Sequence, residues 1–66
     1  MTASKTKYNG YTAFDLHSSV PVTVTFTAKE GEKLWHVVDG KAVQMDGKVV
    51  DGTITVTLFD FSTYFV

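Results

Sequence analysis

A strict alternation of threonine with apolar residues constrains this chain most, and it occurs twice. Residues 22–27 read Val-Thr-Val-Thr-Phe-Thr, and residues 53–58 read Thr-Ile-Thr-Val-Thr-Leu. A period of two is typical of a β-strand with one buried face and one solvated face. The alternation predicts two strands with threonines exposed and the apolar set in the core, namely Val22, Val24, Phe26, Ile54, Val56 and Leu58.

Turn signals divide the rest of the chain into short strands. Asn9-Gly10, Asp39-Gly40, Asp46-Gly47 and Asp51-Gly52 are pairs that favour tight turns, because a type I′ hairpin needs positive φ at both central residues. Further strands are predicted over residues 11–17, 34–38 and 41–45, with a charged loop over residues 28–33. Residues 59–66 either continue the last strand through a bend or form a short extra strand.

No apolar set recurs at helical spacing, so the chain is predicted to be all-β. The two threonine ladders, joined by hairpins, predict a small antiparallel sandwich or half-open barrel of about five to six strands. Residues 1–7 are polar and are predicted to form a flexible N-terminal arm. Residues 8–66 are predicted to form a single β domain.

Size and charge exclude several classes of protein. A chain of 66 residues buries only about 60% of the surface that it exposes when unfolded, and without cysteine no disulfide reinforces it. The formal charge is −1, with six lysines and no arginine, which argues against nucleic-acid binding. No apolar run approaches the roughly 20 residues of a membrane-spanning helix, so membrane insertion is not expected.

The polar residues predict no catalytic or metal site. His17 and His36 have no third ligand at metal-like spacing, and both are interpreted as structural or surface residues. Asp39, Asp46 and Asp51 could be imagined as calcium ligands, but the glycine that follows each one favours a turn. Ser62 has no histidine beside it in the sequence. We therefore expect a protein that is not an enzyme and that uses no cofactor or metal.

The aromatic residues suggest one binding hypothesis. Trp35, Tyr8, Tyr11 and Tyr64 could line a carbohydrate-binding face on which sugar rings stack. The competing interpretation is that a small chain needs most of its aromatic rings for the core, since each buries about 150–250 Å². Trp35, Tyr11 and Tyr64 are the residues that we single out for ligand binding.

Residues 22–66 contain a series of short motifs, at residues 22–26, 34–41 and 50–56, and end in Asp-Phe-Ser-Thr-Tyr-Phe-Val over residues 60–66. This pattern resembles a module of large cell-surface and cell-wall proteins of Firmicutes, in which the closing motif is D-H-F-S-T-Y-x-V. It implies an extracellular β-sandwich that serves as a spacer or adhesive surface without catalytic duty. Asp60 or Phe59 stands where the module has histidine, so we expect no self-cleavage before Ser62.

The leading functional expectation is therefore a structural or adhesive module at the bacterial surface. The alternatives are a carbohydrate-binding module and a subunit of a β-rich surface layer, filament or phage assembly. We also expect the chain to associate with a second copy of itself or with a neighbouring domain. The reason is that the C-terminal strand has an unguarded edge and a high apolar content. The residues assigned to that surface are Phe59, Phe61, Tyr64, Phe65 and Val66.

Overall fold

The computed structural model describes the whole chain, Met1–Val66, as seven β-strands. The chain contains no helix, and hence none that is long and apolar enough to cross a membrane. The all-β class predicted from the alternation is confirmed. The strands are β1 (Thr2–Tyr8), β2 (Tyr11–His17), β3 (Val22–Thr27), β4 (Leu34–Val38), β5 (Lys41–Met45), β6 (Thr53–Leu58) and β7 (Thr63–Phe65).

The strands form two antiparallel sheets of unequal width. The large sheet has the strand order β1-β2-β7-β4-β5, and the small sheet consists of β3 paired with β6. Neither sheet closes into a barrel, and the two separate sheets are consistent with the predicted sandwich. The small sheet is too narrow to cover the whole inner face of the large sheet.

The core lies between the two sheets and follows the predicted alternation. Phe26, Ile54 and Leu58 are buried, while Val24 and Val56 are half-buried against them. The large sheet contributes Leu16, Leu34 and Tyr64. On the outer face of the small sheet the threonines of β3 are exposed, and cross-strand pairs of hydroxyl groups, Thr23 with Thr57 and Thr25 with Thr55, lie 3.0 and 3.1 Å apart.

Three of the four predicted tight turns are present. The first residues of these turns, Asn9, Asp39 and Asp51, have φ of 47°, 50° and 50°, and the glycine after each also has positive φ, as a type I′ turn requires. The prediction of a turn at Asp46-Gly47 is wrong, because neither residue has positive φ and residues 46–49 form neither a turn nor a strand. Gly47 has a packing role instead: a Cβ there would lie 2.8 Å from Ile54 Cγ2.

Residues 1–7 are not an arm outside the fold. Residues 2–7 belong to β1, which pairs with β2 along its whole length, from Thr2 opposite His17 to Tyr8 opposite Tyr11. The Asn9-Gly10 turn brings the two strands together as a hairpin. All side chains of β1 before Tyr8 are exposed, so no apolar alternation signals this strand in the sequence.

The C-terminal segment forms the short extra strand that was one of its two predicted outcomes. β7 lies in the middle of the large sheet, with Tyr64 opposite Phe14 of β2 on one side and opposite His36 of β4 on the other. The expectation that this strand has a free edge is therefore wrong. A three-residue strand with two buried side chains is stabilised best where it has neighbours on both sides.

Candidate functional site

Strand β7 places two successive aromatic residues on opposite faces of the large sheet. Tyr64 belongs to the core between the sheets, so Phe65 lies on the outer face. Residues directly opposite each other on neighbouring strands share a face, and Trp35 is opposite Phe65. Tyr8 and Tyr11, opposite each other at the end of the β1–β2 hairpin, also pack on Phe65.

These four aromatic residues, Tyr8, Tyr11, Trp35 and Phe65, form what we call the aromatic groove. The Phe65 ring is the centre of the group: its centroid lies 5.4 Å from that of Tyr8, 5.3 Å from that of Tyr11 and 6.3 Å from that of Trp35. The three surrounding rings are inclined to Phe65 by 22°, 18° and 16°. Offset, nearly parallel rings at these distances are a favourable aromatic arrangement.

A hydrogen bond from Tyr8 shows that the large sheet curls toward the groove. The Tyr8 hydroxyl group donates to the carbonyl oxygen of Gly40 in the β4–β5 turn at 2.9 Å. β1 and β4 are three strand spacings apart, about 14 Å in a flat sheet, which is further than a tyrosine side chain reaches. The sheet is therefore curved, and the two hairpins approach each other over the rings.

The groove is open to solvent and has a mixed lining. Its volume is about 540 Å³, and Phe65 is buried at its floor while Tyr11 is 58% exposed. Asn9, Glu32 and Lys33 supply an amide, a carboxylate and an ammonium group at its rim. Such a site presents apolar ring surface together with several hydrogen-bond donors and acceptors.

The structure separates the three residues that the sequence singled out for ligand binding. Trp35 and Tyr11 both line the groove, whereas Tyr64 is buried on the opposite face and does not. Phe65 was assigned to self-association and is instead the floor of the groove. The sequence did contain a signal for this separation. Tyr64 and Phe65 are successive residues of one strand, so their side chains point to opposite faces.

A second cluster lies where Tyr64 meets the inner face of β4. The His36 ring stacks on the Tyr64 ring with centroids 4.2 Å apart and planes inclined by 7°. The Tyr64 hydroxyl group donates to the carbonyl oxygen of Asp60. His36 Nε2 lies 2.7 Å from Ser62 Oγ, so the fold brings a histidine beside the serine although none neighbours it in the sequence.

The hydrogen-bond pattern of Ser62 makes this pair a poor nucleophile and base. The hydroxyl group has one hydrogen atom, and the Val37 carbonyl oxygen accepts it at 2.8 Å. Both contacts are satisfied together when His36 Nε2–H donates to Ser62 Oγ. The imidazole is then a donor to the serine and not its base, and the arrangement links β4 to the segment before β7.

Burial sets the protonation of the second cluster. Desolvation lowers the pKa of His36, and the negative charge of Asp60 opposes that effect in part. Burial also raises the pKa of Tyr64, and Asp60 raises it further. Both rings are therefore neutral near pH 7, which agrees with a structural role for the cluster.

The remaining site predictions are placed as follows. Of the residues assigned to self-association, Tyr64 and Phe65 are buried within one chain, and Phe61 and Val66 are half-buried against its core. Phe59 is 73% exposed, so self-association stays a prediction that rests on this residue alone. No group of three histidine or carboxylate side chains is close enough to hold a metal ion, and His17 Nε2 lies 3.5 Å from a carboxylate oxygen of Asp15.

Comparisons of the chain with protein-family models, with curated proteins and with solved structures gave no match. The resemblance of the closing motif to bacterial surface modules therefore stays an expectation. The function has to be argued from the geometry of the chain itself.

Proposed function

We propose that this chain is a non-catalytic binding module that holds carbohydrate in the aromatic groove. One observation carries the proposal: three rings lie nearly parallel around the buried Phe65 ring in a groove that is open to solvent. Aromatic rings that served only the core would be covered, whereas Tyr11 is largely exposed and Trp35 and Tyr8 are half-buried.

The chemistry of the groove suits a sugar ring. The face of an aromatic ring carries a negative quadrupole, which attracts the electron-poor C–H groups on the apolar face of a pyranose. Sugar hydroxyl groups also need donors and acceptors, which Asn9, Glu32 and Lys33 supply at the rim. Among the rim side chains, the carboxylate of Glu32 and the ammonium group of Lys33 balance in charge, which favours a neutral saccharide over a strongly anionic one.

The groove supports binding rather than cleavage. Glycoside hydrolysis ordinarily uses two carboxyl side chains on either side of the scissile bond, and Glu32 is the one carboxylate side chain that lines the groove. A surface module that binds glycans would also be adhesive, so the proposal is compatible with the role that the closing motif implies. If the chain is a spacer alone, the groove has no ligand.

Trp35 is the only tryptophan in the chain and gives the groove its own reporter. We would screen the protein on an array of neutral and charged glycans, then titrate each hit against Trp35 fluorescence. Binding at the groove is expected to shift or quench the emission and to saturate. An array without hits, or a hit that leaves the Trp35 emission unchanged at saturation, contradicts the proposal.

Two exposed aromatic residues provide a matched pair of variants. Tyr11→Ala removes a ring of the groove, and we expect affinity to fall about tenfold or more, as for the loss of a stacked ring of about 1.5 kcal/mol. Phe59→Ala removes an exposed ring outside the groove and should leave affinity unchanged. Equal effects of the two substitutions would show that binding is non-specific.

A further inference from the structure

The outer edge of β3 has backbone groups without partners. β3 pairs only with β6, and residues of an antiparallel strand direct their backbone groups alternately to the two sides. The Ala28 amide donates to Gly52, on the β6 side, so Val22, Val24 and Phe26 also face β6. Thr53 of β6 exchanges backbone hydrogen bonds with Val50, so its backbone groups point away from β3. Thr27, directly opposite Thr53, must then point its backbone groups away from β6.

The free edge therefore consists of the N–H and C=O groups of Thr23, Thr25 and Thr27. The small sheet offers them to solvent with no proline, charged residue or bulge inside β3 to obstruct pairing. The edges of the large sheet differ, because β1 carries Lys5 and Lys7 and β5 begins with Lys41. The outer edge of β6 is already covered at one end, where Thr53 exchanges backbone hydrogen bonds with Val50. β3 is therefore the edge best suited to accept another strand.

A groove beside this edge has room for a strand. It has a volume of about 290 Å³ and lies between the edge residues Thr25 and Thr27 and the inner face of β2. Phe14, on that inner face, is 38% exposed because the small sheet does not reach over it. A strand added beside β3 would cover Phe14 with its inward side chains.

Two lysines on the same face select the chemistry of such a strand. Lys5 and Lys7 lie opposite Phe14 and Thr12, so they share the inner face with Phe14. Neither lysine makes an ion pair, since the one charged contact within 4.0 Å in the chain joins His17 and Asp15. An added strand would shield the two ammonium groups from water, which is costly unless the strand brings carboxylates. Glu32 also lines the groove beside β3, so these three side chains together carry a net charge of +1 (two ammonium groups and one carboxylate), which still favours an acidic strand.

From these observations we propose that the edge of β3 binds an extended acidic peptide by strand addition. Backbone hydrogen bonds to Thr23, Thr25 and Thr27 hold the peptide, one inward apolar side chain packs on Phe14, and inward carboxylates meet Lys5 and Lys7. A second copy of this chain fits less well. If the β3 strands of two copies paired, the large sheet of the second copy would lie where β1 and β2 of the first copy already are.

Synthetic peptides test the proposal directly. The probe is a nine-residue peptide with threonine at alternate positions and glutamate or leucine between them, and the control peptide has lysine for glutamate. We expect the acidic peptide to bind and to slow amide exchange at Thr23, Thr25 and Thr27. Its affinity should fall in high salt. Binding of both peptides alike, or no protection at these amides, would overturn it.

Two proline variants locate the edge. Thr25→Pro removes an amide hydrogen that no residue of the chain accepts, and proline is tolerated on an edge strand at such a position. Thr55→Pro makes the same change at the residue directly opposite, on the other edge of the small sheet. Thr25→Pro should lower the affinity for the acidic peptide about tenfold or more, and Thr55→Pro should leave that affinity unchanged. Equal loss in both, with both variants folded, contradicts the proposal.

Charge reversal gives a test that leaves the strands intact. Lys5 and Lys7 are exposed, so Lys5→Glu with Lys7→Glu should preserve the melting temperature. This double variant is expected to lose the acidic peptide and to bind the lysine peptide instead. Unchanged preference would show that the two lysines do not face the peptide. Light scattering without peptide identifies the remaining outcome: a dimer that Thr25→Pro dissociates would make a second copy the occupant of the edge and overturn the proposal.

Discussion

Tyr64 and Phe65 are neighbours in β7, and both are buried, at 1% and 6% exposure, but different structures cover them. Tyr64 is covered by a second sheet, whose aliphatic and aromatic side chains close the core. Phe65 is covered by rings that belong to its own sheet, and those rings remain partly open to solvent. Burial of similar depth thus forms the core on the inner face, at Tyr64, and forms a groove on the outer face, at Phe65.

The difference follows from the unequal width of the two sheets. A two-stranded sheet can close only one face of a five-stranded sheet, and only in part. The outer face must then be covered by its own long side chains, and the curvature of the sheet assists them. Side chains that cover a face without a second layer are also the ones that can receive a ligand.

Ile54→Ala tests the core face, where we expect the largest effect. Ile54 is fully buried at the contact between the sheets, and such truncations cost about 2–5 kcal/mol. A domain of this size has a total free energy of unfolding of about 3–10 kcal/mol, so a substantial unfolded population is expected. Urea denaturation followed by circular dichroism measures the change.

The control for this prediction is Val43→Ala, which removes a valine that is half exposed on β5. A change within about 0.5 kcal/mol is expected there, as for other surface sites. If Ile54→Ala cost no more than Val43→Ala, the two sheets would not pack as described.

Phe65→Leu tests the outer face, where the effect should be intermediate. Leucine keeps much of the apolar volume but loses three stacked pairs, each worth about 0.5–1.5 kcal/mol and not strictly additive, so we expect a loss of about 1–3 kcal/mol. The emission of Trp35 should change with it, because that ring packs on Phe65. Phe59→Leu, at an exposed site, should change neither quantity. A loss as large as that of Ile54→Ala would mean that Phe65 belongs to the main core.

The parts of the fold that were predictable are those where local chemistry decides. Two threonine ladders gave the small sheet, and three Asn-Gly or Asp-Gly pairs gave type I′ turns because few other residues adopt positive φ. β1 could not be predicted, since its exposed side chains carry no apolar period and its partner alone defines it. Gly47 was misread because glycine also serves where a Cβ would collide with the core.

The site was only half predictable for a related reason. Alternation tells which residues of one strand share a face, but the groove depends on the register between four strands. Trp35 and Tyr11 were proposed from residue type, whereas the central role of Phe65 follows from its pairing with Trp35. The contact of His36 with Ser62 spans 26 positions, and no pattern in the sequence predicts it.

The pH dependence of stability tests the cluster behind Tyr64, with the smallest expected effect. Burial lowers the pKa of His36 below its ordinary value of 6.5, so protonation is harder in the folded than in the unfolded chain. The stabilising contribution is therefore complete above pH 6.5 and is lost as the pH falls below that value. The carboxylate of Asp60 makes the loss smaller than burial alone would.

His36→Gln is the variant that isolates this contribution, because the glutamine amide can still donate to Ser62 but does not titrate. We expect the melting temperature of the parent chain to fall more than that of His36→Gln between about pH 7.5 and pH 5.5. The NMR titration of the His36 ring protons should show a midpoint below 6.5. A midpoint above that value would mean that Asp60 outweighs burial, and the sign of the difference would then reverse: protonation would stabilise the fold, and the inner face of β4 would carry a charge that the packing of His36 on Tyr64 argues against.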